Sequence, residues 1–247
     1  MPDASRPRHV LVTGSRRGIG RAVCNKLLAD GWSVTGLDLD AGELTGGGMD
    51  PGLDSAGLRS LAVDLTDPAA LASTLDAAIA AVGPVDALVH AAGILRTAPL
   101  GALEAEAGRL LWAVHVDAAV RLADRLLPAM AAAGHGRMVL IGSRVAAGMP
   151  GRSQYAACKA AVVALARSWA AEVVADGVTV NVVSPAATRT AMLADPGRAR
   201  TAPRVPPIGR LIEPQEVASL VAYLLSPAAD AITGQDLQIC GGASLAR

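Results

Sequence analysis

The chain has 247 residues, of which 22 are Lys or Arg and 22 are Asp or Glu; 52% of the residues are hydrophobic, yet there is no Phe, two Tyr and three Trp. Zero formal net charge removes the electrostatic drive of nonspecific nucleic-acid or anionic-membrane binding, and so few rings argue against a base-stacking platform. A charged content of 18% with 26 Gly and 15 Pro argues against a disordered chain or a coiled coil.

In chain order, residues 1–9 carry Pro, Asp and Arg and lack the apolar run of a secretory leader. The first strand is expected at 10–13. It runs into Thr13-Gly14-Ser15-Arg16-Arg17-Gly18-Ile19-Gly20, a glycine loop that opens a helix at 19–30. Glycines allow close backbone approach, and a helix start offers free N–H groups to a pyrophosphate. A strand at 33–37 ends on Asp38, whose carboxylate is placed to accept from adenosine ribose hydroxyls and to repel a 2′-phosphate. Arg16 and Arg17 would attract that phosphate, so the two signals oppose each other. A carboxylate at bonding distance is hard to reconcile with a dianion, and NAD is therefore the expected cofactor, with NADP as the alternative.

The glycine-rich stretch 41–57 reads as a short or loop-like crossover, followed by a strand at 60–63. Asp64 then reads either as a partner of the adenine amino group or as a helix cap before Pro68. A helix at 68–82, a strand at 87–90, one long helix at 102–133 and a strand at 138–141 come next. The helix expected at 153–176 sets Tyr155 and Lys159 one turn apart on a single face. A phenol has a pKa of about 10, and a nearby ammonium brings it toward a usable range for proton transfer. Ser143, just past the preceding strand, is placed to donate to a substrate oxygen. A strand at 179–183, an irregular segment at 189–208, a helix at 214–226 and a strand at 237–240 complete the chain.

Short apolar runs alternating with helices predict a parallel sheet buried on both faces by right-handed crossovers, in one domain spanning 1–247. The segment 189–208 follows a strand's carboxyl end and is expected to cover substrate. No run of about 20 apolar residues escapes a charge, Gly or Pro, so no membrane span is expected. Cys24, Cys158 and Cys240 lie far apart without a CxxC pair, which predicts reduced thiols in a cytoplasmic protein with no metal site.

With these motifs in one order, the chain resembles the short-chain dehydrogenase/reductase family over nearly its whole length. Thr13–Gly20 matches TGxxxGxG, His90-Ala91-Ala92-Gly93 matches NNAG, Ser143 the catalytic Ser and Tyr155/Lys159 the YxxxK pair. Asn181, Pro185, Ala186 and Thr190 resemble NxxxPGxxxT; Gly209-Arg210, Glu216, Thr233-Gly234-Gln235 and Gly241-Gly242 fit its later signatures.

The resemblance implies a Rossmann-type, doubly wound seven-stranded α/β domain that moves hydride between a nicotinamide and a small alcohol or ketone. Tyr155 would be the acid/base, Lys159 its tuner and a ribose ligand, and Ser143 the holder of the substrate oxygen. Thr190 and the backbone near Ala187–Thr188 would fix the carboxamide, Pro185 would also contact the cofactor, and a homotetramer is the implied assembly. Three departures stand out. His115 replaces the family's active-site Asn, which helps position a water linking the Lys to solvent, and is expected to bond that water and relay a proton. His90 replaces the first Asn of NNAG and reads as a hydrogen-bonded buried imidazole. Ala186 replaces a Gly.

Several stretches, among them 86–96 and 241–245, resemble 2,3-dihydro-2,3-dihydroxybenzoate dehydrogenases within the family, but 189–208 is shorter than in that group. Arg144, Arg152, Arg189, Arg198, Arg200 and Arg204 are candidates to hold a carboxylate substrate or to lie solvated. Three functions are left standing: an NAD-dependent dehydrogenase of a small, possibly cyclic secondary alcohol; an NADPH-dependent 3-oxoacyl or ketone reductase; and, because of His115, a weakly active cofactor-binding scaffold.

Overall fold

Seven strands, β1 (His9–Thr13), β2 (Ser33–Asp38), β3 (Leu58–Ala62), β4 (Ala87–His90), β5 (Gly136–Ile141), β6 (Val178–Pro185) and β7 (Asp236–Ile239), pair in the order β3-β2-β1-β4-β5-β6-β7. Every pairing is parallel. The helices are α1 (Gly18–Ala29), α2 (Pro68–Val82), α3 (Ala105–Trp112), α4 (Ala118–Ala132), α5 (Ser153–Val173) and α6 (Pro214–Leu224). This computed structural model describes residues 6–40, 58–193 and 204–245. The glycine-rich crossover at 41–57, and Arg198 and Arg200, lie outside the described residues.

One sheet face packs Leu11, Leu88, Leu140 and Val182 against α2, α4 and α5. The other packs Val10, Val12, Val89 and Val139 against α1 and α6. Burying each such Leu or Val contributes about 1.5–3 kcal/mol. Among the described residues Trp32 and Tyr155 are the only buried Trp and Tyr side chains, so aliphatic groups fill the core.

The central strands β1, β2, β4, β5 and β6 are buried on both faces as their apolar runs predict. The edge strands differ. β3 and β7 are largely half-buried, because each lacks a neighbour on one side. A second correction concerns the long helix expected at 102–133. It begins at Ala105 and is interrupted by a π-helical turn, Ala113–Asp117, between α3 and α4. A single widened turn leaves the apolar periodicity on either side nearly intact, so the pattern does not betray it.

Local chemistry fixes the helix starts. Asp67 accepts from the N–H groups of Ala69 and Ala70 ahead of Pro68. Glu213 and Glu216 form a capping box on α6, and Arg210 grips Glu216 with two bonds of 2.7 and 2.8 Å. Asn181 ties β6 to the approach of β7, donating to Ile232 O at 2.7 Å and accepting from Gln235 N–H at 3.1 Å.

Beneath the sheet, Asp86 accepts from the His9 N–H at 2.7 Å, from Arg6 at 2.9 and 3.0 Å and bonds His135 at 3.0 Å. Burial alone would raise its carboxyl pKa, but these partners together hold it below the usual value.

Candidate active site

The strand order reverses direction at β1 and β4, and the carboxyl ends of these neighbours open a crevice there. The register sets Thr13 beside both Leu37 and His90, bringing the glycine loop, Asp38 and Ala91 to one edge. Gly14 (φ +66°) and Gly18 (φ +57°) take left-handed backbone conformations that favour glycine. A Cβ on Gly14 would stand 2.7 Å from Ala92 Cα, and one on Gly20 would overlap the Gly14 carbonyl, 2.7 Å from its carbon. Arg17 begins α1 with no side-chain cap bond, and the first turn holds no acidic residue. The helix therefore presents open N–H donors and the positive end of its dipole to an anion.

Asp38 is held rather than swinging free. One carboxylate oxygen accepts from Arg16 N–H at 3.0 Å and the other from Leu39 N–H at 2.8 Å. The Arg16 guanidinium pairs with Asp40, while Arg17 is exposed. Asp64 is exposed and accepts from the N–H and hydroxyl of Thr66 at 2.8 and 2.7 Å. It forms a local turn, and the cap ahead of Pro68 is Asp67 instead.

The reactive side chains converge where β5 and α5 meet. Ser143 is buried, and its hydroxyl oxygen accepts from Val145 N–H at 3.2 Å, leaving its O–H to donate. Tyr155 is 9% exposed and Lys159 4%. The Lys159 ammonium lies 5.8 Å from the centre of the Tyr155 ring and donates to Ile141 O at 2.6 Å. Burial lowers the Lys159 pKa to about 8.

His115 sits in the π-helical turn, its ring edge-on to Tyr155 with centroids 5.5 Å apart. Its Nε2 lies 2.9 Å from Ile94 O and 3.2 Å from Ile94 N, so either neutral tautomer finds one partner there. Its Nδ1 is buried without a bond among the described residues. Burial, aided by the Lys159 charge, keeps its pKa well below the ordinary histidine value. Gly93 makes room for the ring, since a Cβ there would lie 2.5 Å from His115 Cε1.

His90 is bonded at one nitrogen only. Nδ1 lies 2.9 Å from Thr13 Oγ1, which also accepts from Ala92 N–H, while Nε2 has no bonded partner among the described residues. The expectation of a hydrogen-bonded imidazole thus holds at a single atom. Burial and then Lys159 lower its pKa to about 3.

These groups share a cavity of about 660 Å³ that runs from Ile19 past Ala91, Ala92 and Gly93 to Tyr155, with Pro185, Thr188 and Thr190 on its wall. Ala186, in place of the family's Gly, puts its methyl on that wall. Thr188 is pinned by a parallel bridge to Ile212, which carries Thr190 to within 3.1 Å of where a Cβ on Gly18 would stand. Arg144, Arg152 and Arg204 line the cavity, whereas Arg189 bonds Glu213 at 2.9 Å and does not. Sequence reasoning missed Met149 and Leu245 on the wall and the Ile141 carbonyl that holds Lys159. None of them carries a chemical signature. Open donors at α1, a glycine cradle, a fixed carboxylate at Asp38 and a cavity ending at Tyr155 fit a nicotinamide dinucleotide. Among the described residues no helix is long and apolar enough to cross a membrane.

The model of a family described as Enoyl-(Acyl carrier protein) reductase matches residues 14–244. The chain is 39% identical over 236 residues to the 3-oxoacyl-(acyl-carrier-protein) reductase of Escherichia coli, covering 94% of this chain and 95% of that one. It is 37% identical over 251 residues to the cis-4-hydroxycyclohexanecarboxylate dehydrogenase of Sinomonas cyclohexanicum, covering 98% of each. Among solved structures, a short chain dehydrogenase/reductase family protein superposes with a TM-score of 0.83 at 33% identity, over 97% of this chain and 98% of that chain. An actinorhodin polyketide ketoreductase with NADPH superposes with a TM-score of 0.87 at 28% identity, with the same coverage of 97% and 98%.

Proposed function

The chain belongs to the short-chain dehydrogenase/reductase family and is an oxidoreductase, and from that premise we propose that it interconverts a small secondary alcohol and its ketone with NAD(H). The observation that carries this reading is the meeting of Ser143, Tyr155 and Lys159 in one cavity that continues toward Asp38's end of the sheet. When bound, the nicotinamide supplies or accepts the hydride.

The residues supply everything else. Ser143, whose oxygen already accepts from Val145 N–H, turns its own proton toward the substrate oxygen. Tyr155 takes the hydroxyl proton in oxidation and returns it in reduction. The Lys159 ammonium stabilises the phenolate, and burial confines its field to the site. His115, held neutral and fixed at Nε2 by Ile94, keeps Nδ1 for the water that links Lys159 to solvent, and that water carries the proton. His115→Asn is expected to leave the unfolding temperature nearly unchanged and to alter kcat or its pH profile. Identical kinetics in both proteins would remove His115 from proton transfer.

Asp38 supports NAD over NADP, because a 2′-phosphate would meet a carboxylate fixed by two backbone N–H groups. Of the two loop arginines, Arg16 is engaged by Asp40 and Arg17 is exposed. Separate titrations with NADH and NADPH test this. NADH is expected to bind about tenfold or more tightly, a difference of about 1.4 kcal/mol, and Asp38→Ala to erase most of it. Tighter NADPH binding by the wild type would instead favour the second reading. That reading, an NADPH-dependent 3-oxoacyl or ketone reductase, draws on the likeness to the Escherichia coli reductase and the polyketide ketoreductase. A homotetramer accords with the exposed Leu103, Leu110, Trp112 and Val120 beside and along α3 and α4.

A further inference from the structure

The cavity's charge contrasts with that of the whole chain. Lys+Arg and Asp+Glu balance at 22 each overall, yet Arg144, Arg152, Arg204 and Lys159 line this one space, and no described Asp or Glu shares it. Lys159 is committed to the Tyr155 phenol and the Ile141 carbonyl. The arginines are placed differently. Arg144 directly follows Ser143 and opens a 3-10 turn, and Arg152 immediately precedes α5, three residues before Tyr155. Both belong to the segment joining Ser143 to Tyr155, whereas a dinucleotide's pyrophosphate belongs at the separate loop Gly14–Gly20. Elsewhere arginines hold carboxylates of the chain, as in Arg125–Asp76, Arg137–Asp230 and Arg210–Glu216. Arg144 is half-buried with no ion pair among the described residues.

The surfaces beside them are aliphatic. Leu95, Val145, Met149, Met192, Leu193 and Leu245 line the same space, and Tyr155 and His115 are its only rings among the described residues. We infer that the substrate is a hydroxy- or oxo-carboxylate with a saturated body, its carboxylate held by Arg144 and Arg152 and its reacting C–O bond at Ser143 and Tyr155. Guanidinium groups suit this task because they keep their charge at every working pH and offer paired donors to a carboxylate. Low local dielectric strengthens the attraction, and no described Asp or Glu lines the cavity to compete for it. The carboxylate anchors the molecule at one end, so reactivity is confined to a carbon that the anchor places at Tyr155.

This inference rests on the oxidoreductase reading of the same site, so its test has two arms. In the first, cyclohexanecarboxylate and cyclohexanecarboxamide, which carry no reacting hydroxyl, are titrated into the cofactor-loaded protein by calorimetry. The carboxylate is expected to bind about tenfold or more tightly to the wild type. In Arg144→Gln/Arg152→Gln the two should bind alike, with each single variant intermediate. Equal binding by the wild type, no binding of the carboxylate, or a preference that survives in the double variant would each overturn the inference. In the second arm, kcat/KM is compared for 4-hydroxycyclohexanecarboxylate, its methyl ester and acetoacetyl-CoA. The free acid is expected to be preferred, mainly through KM, and the preference to collapse in the double variant. Preference for the ester or the thioester would overturn it. Carboxylate binding without Tyr155-dependent turnover defeats the oxidoreductase reading alone; Tyr155-dependent turnover without anion preference defeats the inference alone.

Discussion

Tyr155→Phe is expected to lower kcat by about 10²–10⁴-fold for every alcohol the wild type oxidises, while the unfolding midpoint stays close to that of the wild type. The substitution deletes the phenolic oxygen and keeps the ring that packs edge-on against His115. Steady-state rates and a thermal melt on the same preparation separate loss of chemistry from loss of fold. Equal rates in both proteins would show that the phenol is not the acid/base. A pH profile adds a second check. With Lys159 at about pH 8, its cation is present below that value and is lost above it. kcat/KM for the cofactor, which reports groups of the free enzyme, is therefore expected to bend downward above about pH 8.

Gly20→Ala is expected to weaken cofactor binding by about 10–100-fold and to destabilise the fold by about 1–3 kcal/mol. The new methyl would overlap the carbonyl of Gly14, which is backbone and cannot rotate out of the way. Relief requires either the loop or the first turn of α1 to move, and both carry the N–H groups proposed to hold the pyrophosphate. Titration with reduced cofactor below the melting temperature reads the binding loss separately from the stability loss. Wild-type affinity in this variant would mean that the close packing of loop on helix does not hold the cofactor.

The sequence disclosed the parts of the molecule whose physics is local. Parallel strands covered on both faces must be apolar throughout, so β1, β4 and β6 announce themselves. The glycine loop and the Tyr155/Lys159 pair are legible because their spacing is the geometry: a turn onto a helix, and one helical turn between two side chains. What stayed hidden depends on geometry that residue types and their spacing do not specify. The π-helical turn is invisible in the periodicity of α3 and α4, yet it carries His115 to Ile94. That Asp67 rather than Asp64 caps α2 is decided by which carboxylate reaches Ala69 and Ala70. Arg144 and Arg189 are equivalent in a string of letters. Only the fold gives Arg189 the partner Glu213 and leaves Arg144 on the cavity wall.

The scarcity of rings makes the protein convenient for magnetic resonance. Of its two tyrosines, Tyr223 is 45% exposed on α6 and Tyr155 is 9% exposed in the cavity. A sample grown on ring-labelled tyrosine would give two sets of signals, and Tyr223→Phe would assign them by subtraction. The remaining set reports the ionisation of a single phenol, free of overlap, as pH, cofactor or a candidate anion is varied.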